Sequence, residues 1–319
     1  MTDALFDIAS LGGTTMGTTW SVKLVVSRRC ELHALHAGIQ ARLDRVVAQM
    51  STWEPDSDLS AYNRATAGSW CTLPEETRRV LRCAQQVAAA SGGAFDPTIG
   101  PLVALWGFGA HAGPRGTPDD TRLATTRARC GWQRLQWQHD ALLQPGGLEL
   151  DLSAIAKGFG VDEVVRWLQA QRITAALVEV GGELHGYGRK PDGQPWRVLV
   201  ESAPEDDAGT PGPPRVLVLD GDAVATSGDR WHRYQQHGEQ LSHSLDPRSG
   251  RPVQRAAAAV TVVAAEAMLA DAWATALTVL GSTAGLALAT RLGLAARFLE
   301  RGEHAPVETL SPAFQALLP

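Results

Sequence analysis

Four stretches of the chain set polar side chains beside glycine turns or helix starts. The first runs Asp151-Leu-Ser-Ala-Ile-Ala-Lys157-Gly-Phe-Gly160, where an expected strand ends and a helix begins. Asp151 and Ser153 are placed to cap that helix through their side-chain oxygens. Lys157, in the first turn, opposes the helix dipole. Beside the free N–H groups of a helix start, however, the same ammonium makes a phosphate site. The second stretch is Ala270-Asp271-Ala-Trp-Ala-Thr275-Ala276. Asp271 and Thr275 lie four positions apart and share one helix face. A carboxylate and a hydroxyl among alanines suit a hard cation, which takes oxygen ligands. The plain alternative is a solvated face carrying a routine Asp.

The third group joins Thr226-Ser-Gly-Asp229 to Ser242-His243-Ser244-Leu-Asp-Pro-Arg-Ser-Gly250. Histidine titrates near neutrality when unperturbed, so His243 can carry a proton, although a single His is more often structural. No Gly-x-Ser-x-Gly elbow accompanies it, which argues against a hydrolase triad. The fourth group is Met16-Gly-Thr18, Met50-Ser-Thr-Trp53 and Gly92-Gly-Ala94-Phe95-Asp96-Pro97. Trp53 and Phe95 can flank a flat ring system; they can equally be core aromatics.

The elements that must hold these residues follow from periodicity. Thr19–Val26 alternates as a strand, and Leu32–Met50 has helical spacing at Leu35, Ile39, Leu43 and Val46. Pro74–Ala90 reads as a helix with Thr72 as cap and Pro74 in its first turn, closed by Gly92-Gly93. Gly107–Pro118 reads as a loop. Gly147–Leu152 is expected as a strand, followed by a helix to about Gln171 with Val161, Val164, Val165 and Leu168 on one side. Ala175–Val180 is a strand ended by Gly181-Gly182. Arg197–Glu201, Val216–Leu219 and Ala258–Ala264 are further strands, and Ser202–Pro214 is a surface loop. Glu266–Leu280 is a helix stopped by Gly281, and Thr283–Leu292 is the last helix. Strands and helices mix without strict alternation, which favours α+β over a doubly wound sheet. Neither a Gly-x-Gly-x-x-Gly after a strand nor a P-loop occurs.

Composition narrows the class without naming a reaction. The chain has 319 residues, 44% apolar and 20% charged, with a net charge of −5. That is ordinary for a globular protein, and the scattered Lys and Arg make no nucleic-acid footprint. Cys30, Cys71, Cys83 and Cys130 form no Cys-x-x-Cys pair, so free thiols are expected rather than zinc or a disulfide framework. The longest apolar run, Ala256–Ala265, is half of a membrane span. Met1–Gly13 lacks the basic start and apolar core of a secretory signal, so the expectation is a soluble, cytoplasmic protein.

Taken in order, the motifs resemble the ApbE family of FAD:protein FMN transferases. The likeness runs from about Thr15 to Gly281. It rests on Met-Gly-Thr-Thr-Trp at 16–20, Met-Ser-Thr-Trp at 50–53, Asp-Leu-Ser-Ala-Tyr-Asn at 58–63 and Gly-Gly-Ala-Phe-Asp-Pro at 92–97. Leu-Trp-Gly-Phe-Gly at 105–109, Asp-Leu-Ser-Ala-Ile-Ala-Lys-Gly at 151–158 and Val-Gly-Gly-Glu at 180–183 continue it. Thr-Ser-Gly-Asp at 226–229, Ser-His-Ser-Leu-Asp-Pro at 242–247 and Ala-Asp-Ala-Trp-Ala-Thr-Ala at 270–276 complete it. Glu183 stands where the family commonly has Asp, and Ser244 where it commonly has an aliphatic residue.

The resemblance implies a single two-lobed α+β domain over 1–319, with mixed or antiparallel sheets, packed helices and FAD in the cleft. It places flavin contacts at Met16, Trp53, Ala94, Phe95, Asp96, Asp151, Lys157 and Ser244. It places magnesium on the main-chain carbonyl of Ala154 and the side chains of Asp271 and Thr275. The implied acceptor is a Ser or Thr of a partner flavoprotein, and the products are a phosphoester-linked FMN and AMP. On that chemistry His243 is the expected general base, Asp229 its reserve, and Lys157 the holder of a phosphate oxygen. FAD diphosphate hydrolysis and non-catalytic flavin carriage are the rival expectations.

Overall fold

The computed structural model describes residues 6–113, 116–200, 214–228, 233–236, 239–242, 244–253, 257, 259–302 and 306–318, with 233–236 and 239–242 described by backbone alone. His243, Asp229 and nearly all of the expected loop at 202–214 therefore lie outside the described residues. The fold is α+β, as expected. An eight-stranded sheet runs in the order Phe6–Thr15, Thr18–Ser27, Ala176–Val180, Glu183–Tyr187, Asp222–Ser227, Ala259–Ala264, Ala295–Glu300 and Val307–Leu310. Every neighbouring pair in it is antiparallel. A three-stranded sheet of Trp70–Thr72, Ala141–Leu143 and Trp137–Gln138 and a hairpin of Trp196–Val200 with Arg215–Leu219 stand apart from it.

Two packed helices carry the site. Ala156–Ala170 buries Val161, Val164, Val165 and Leu168, the stripe expected from the sequence, against Leu35, Ile39 and Leu43 of Leu32–Met50. Ala267–Leu292 buries Met268, Trp273 and Leu277 in the largest core cluster. The expected stop is present: at Gly281 the backbone turns to a non-helical φ 72° and ψ 172°, so Ala267–Leu292 is two helical stretches joined across a kink. By length and composition that helix could cross a membrane, but over half of its most apolar window is buried inside the protein.

Three local expectations need correction. Gly147–Leu152 makes no strand ladder; the Asn63 side chain takes the place of a neighbouring strand, donating to Leu150 O and accepting from Leu150 N–H. The helix after Pro74 starts at Glu75 with Pro74 itself as N-cap, and Thr72 lies in a strand. The helix after Ile155 has no side-chain cap of its own: Asp151 Oδ1 instead accepts from Ser153 N–H, 2.8 Å away. The four cysteines are free, as expected.

Candidate active site

The site forms where the first turns of the two helices meet. A Cβ on Gly158 would fall 2.3 Å from the carbonyl oxygen of Ala267, so only glycine allows the backbones this close. The approach lets Gly158 N–H donate to Asp271 Oδ2 at 3.1 Å. A helix start leaves its first N–H groups without intrahelical partners, and here a carboxylate from another helix takes one of them.

Lys157, one residue earlier, is half-buried and donates through Nζ to Glu183 Oε1. Glu183 opens its strand after a two-residue turn, Gly181-Gly182, with φ of 59° and 103°. Positive φ at both central residues marks the tight hairpin turns that favour glycine. The turn brings Glu183 directly across from Val180, and Gly181 itself packs close to the Lys157 stem. Glu183 is 2% exposed, and among the described residues its Oε2 has no hydrogen-bond partner.

Two buried carboxylates thus share one ammonium. Burial, and then the charge of Asp271, push the Glu183 carboxyl up to about 8, against the pull of Lys157. Burial raises Asp271 as well, opposed by Lys157 and by the Gly158 N–H. Burial works to lower Lys157, but Asp271 and Glu183 outweigh it and hold the ammonium above its ordinary value. The cluster is short of positive charge. Thr275, half-buried, lies one turn beyond Asp271, and Ala154 lies in the turn that leads into the Lys157 helix. Among the described residues no three His, Cys, Asp or Glu gather as a metal-holding group. The candidate donor set instead mixes one carboxylate with a hydroxyl and a carbonyl.

The expected flavin contacts divide by burial. Met16 sits at the tip of the first hairpin with φ 49°, a left-handed conformation that few non-glycine residues adopt. Its Cε lies close to Gly160 of the Lys157 helix. Trp53 is 69% exposed, an unusual setting for so large an apolar ring. Ala94 and Phe95 are buried, and Phe95 packs in the core. Asp96 is buried too, its carboxyl raised by burial against the hydrogen bonds it accepts from Thr98 and Trp132. It borders an open cleft of about 250 Å³ lined also by Gly93, Trp132 and Arg248, which joins the 92–97 and 242–250 motifs. Thr52, Asn63, Gly109 and Asp151, from four separate motifs, line a smaller pocket. Ser244, within the 242–250 motif, is half-buried.

Sequence reasoning quoted Glu183 but gave it no role. The usable signal was the Gly-Gly pair between two apolar runs, which predicts a hairpin and so places Glu183 at a strand start.

Known proteins are similar to this chain over nearly their full lengths. A crystal structure of apo flavinyl transferase ApbE from Pseudomonas stutzeri superposes with a TM-score of 0.91 at 39% identity, over 98% of this chain and 97% of that one. The flavin transferase ApbE of Vibrio cholerae superposes at 0.89 and 35% identity, over 98% and 100%. The curated FAD:protein FMN transferase of Vibrio cholerae is 36% identical over 97% of this chain and 92% of its own length. Fold and relatives together define an enzyme of the transferase class. The ApbE family model matches residues 16–298, and the chain belongs to the ApbE family.

Proposed function

We propose that the chain is a magnesium-dependent FAD:protein FMN transferase, which moves FMN from FAD to a Ser or Thr hydroxyl of a target flavoprotein and releases AMP. The observation that carries this reading is the Lys157–Glu183–Asp271 cluster at a helix N-terminus. The relatives' activity supplies the substrates; the cluster supplies a place for their charge. A divalent cation fits the cluster, because Glu183 Oε2 is buried without a partner among the described residues and the carboxylates outnumber the ammonium. Asp271, Thr275 and the Ala154 carbonyl are hard oxygen donors of the kind magnesium prefers, and they are its proposed holders. When bound, the ion neutralises charge on the diphosphate and on the departing AMP.

The chain's own groups do the rest. Lys157, oriented by Glu183, holds a phosphate oxygen of the FMN half. The exposed indole of Trp53 offers a face to the flavin ring, and Met16 closes against it from the hairpin tip. In the transfer, the acceptor oxygen bonds to the FMN-side phosphorus as the bond from that phosphorus to the AMP oxygen breaks. AMP leaves with the bonding pair, and the hydroxyl proton passes to a base, to which we assign His243 with Asp229 in reserve. Positioning and charge stabilisation carry most of the rate in such phosphoryl chemistry.

The test is to incubate the protein with FAD and magnesium, with and without an acceptor flavoprotein, and to follow AMP. Release that requires the acceptor supports transfer. Rapid release without it identifies a diphosphatase, and retained FAD with no AMP identifies a carrier.

A further inference from the structure

Asp162 lies on the Lys157 helix, and the chemistry above does not use it. It is 4% exposed, and both of its oxygens are occupied by another element. Oδ1 accepts from Ala267 N–H at 2.8 Å and Oδ2 from Met268 N–H at 2.9 Å. These are the first two N–H groups of the long helix, whose N-cap, Glu266, makes no side-chain cap bond. The opposite bond, Gly158 N–H to Asp271 Oδ2, serves the other helix, which also lacks a cap of its own. Each helix start is therefore capped by a carboxylate from the other helix. On its far side Asp162 Oδ1 stands 3.8 Å from Nδ1 of His185, two residues along the strand that Glu183 opens.

One carboxylate thus touches the elements that carry Lys157, Glu183 and Asp271. Ala267 and Asp271 are about one helical turn apart, so whatever fixes the first turn fixes the Asp271 side chain. A carboxylate on the first N–H groups of a helix is favoured by hydrogen bonding and by the helix dipole.

We infer that Asp162 is the positioning residue of the metal site: by gripping the first turn of the long helix it aims Asp271 at the cation and keeps Lys157 and Glu183 in register with it. The inference rests on Asp271 as a metal holder, the reading proposed above. Asp162 itself does not touch the cation, since both its oxygens serve Ala267 and Met268.

Asp162→Ala and Asp162→Asn test this, with Mn2+ as the metal probe. Mn2+ binding is titrated by electron paramagnetic resonance on the FAD-free protein, and FMN transfer is measured against magnesium concentration. In Asp162→Ala, Mn2+ binding weakens about tenfold, the usual scale for losing a group that orients a ligand. The magnesium needed for half-maximal rate rises by a similar factor, while the rate at saturating magnesium recovers to near wild type. A general loss of structure would not give that split. Asp162→Asn, with one acceptor oxygen left for the two N–H groups, falls between wild type and Ala. Wild-type Mn2+ affinity in Asp162→Ala overturns the inference, as does a lost saturating rate at unchanged affinity. If Asp162→Ala does not fold, folded Asp162→Asn with unchanged Mn2+ affinity overturns it. Asp271→Ala separates the two readings. If Mn2+ still binds there as in wild type, the metal reading itself fails; if binding is lost there but unaffected at Asp162, only this inference fails.

Discussion

Gly158→Ala puts the helix crossing to a direct test. The new Cβ would lie 2.3 Å from Ala267 O, 2.5 Å from its carbonyl carbon and 2.7 Å from Met268 N. All three are backbone atoms, so no side chain can swing aside. Ordinary contact begins near 3.5 Å, and the helices must part by roughly 1 Å. The Gly158 N–H···Asp271 bond, now 3.1 Å, would stretch past hydrogen-bonding range. In a helix Ala is favoured over Gly by about 1 kcal/mol, whereas overpacking costs about 1–3 kcal/mol. Losing that bond to a buried carboxylate adds about 1.5–3 kcal/mol, so the net loss of stability is about 1.5–5 kcal/mol, a fall in Tm of several degrees. The effect on rate is larger, because a displacement of about 1 Å in a positioned group costs about 100-fold. The assay is FMN transfer at saturating FAD and magnesium, with a thermal melt on the same sample. A raised Tm, or a folded variant with wild-type kcat, would refute the reasoning.

Three other outcomes follow from the same structure. Glu183, raised to about 8 by burial first, favours its neutral form in the folded state. Its contribution is therefore full below the ordinary carboxylate range and is lost as pH rises through about 8; urea unfolding of chelator-treated protein should show that decline, and Glu183→Gln should flatten it. Trp53→Ala should leave stability within about 0.5 kcal/mol, as the ring is 69% exposed, yet weaken FAD binding by calorimetry. Losing an aromatic pair worth about 0.5–1.5 kcal/mol means a two- to tenfold higher Kd. Glu308 accepts from Arg297, which is 1% exposed, and from Arg215 of the separate hairpin. Glu308→Gln should cost about 1.5–3 kcal/mol in urea unfolding, the scale of a charge-assisted hydrogen bond, by weakening the bonds to both arginines. Burial opposes the depression of the Glu308 carboxyl, but the two arginines prevail and hold it below the ordinary range, so its support is lost as pH falls through that depressed value.

Much of this architecture was legible in the chain, for physical reasons that differ by element. Leu32–Met50 was read to the residue because one face of it is buried along its whole length. Asp271 and Thr275 were placed on one helix face because helical spacing is local. The strand Phe6–Thr15 was missed, since Met1–Gly13 was read only for a secretory signal. In the structure a Cβ on Gly13 would fall 2.6 Å from Trp20 Nε1, so the glycine makes room for that ring. The capping of the Lys157 helix was misread because its cap comes from Asp271, 113 residues further along. Local rules could only look to Asp151 and Ser153. Glu183 escaped for the same reason: its meaning lies in a partner on another element. Phe95 and Trp53 looked alike in the sequence, and only burial separates a core ring from an exposed one.

The most direct measurement of the central claim is peptide-level mass spectrometry of an acceptor flavoprotein after incubation with this protein, FAD and magnesium. The account predicts a mass gain equal to a phosphoester-linked FMN on a single Ser or Thr, lost when magnesium is chelated and when Asp271→Ala replaces the wild type. An acceptor left unmodified while FAD is consumed, or modified equally by Asp271→Ala, would contradict it.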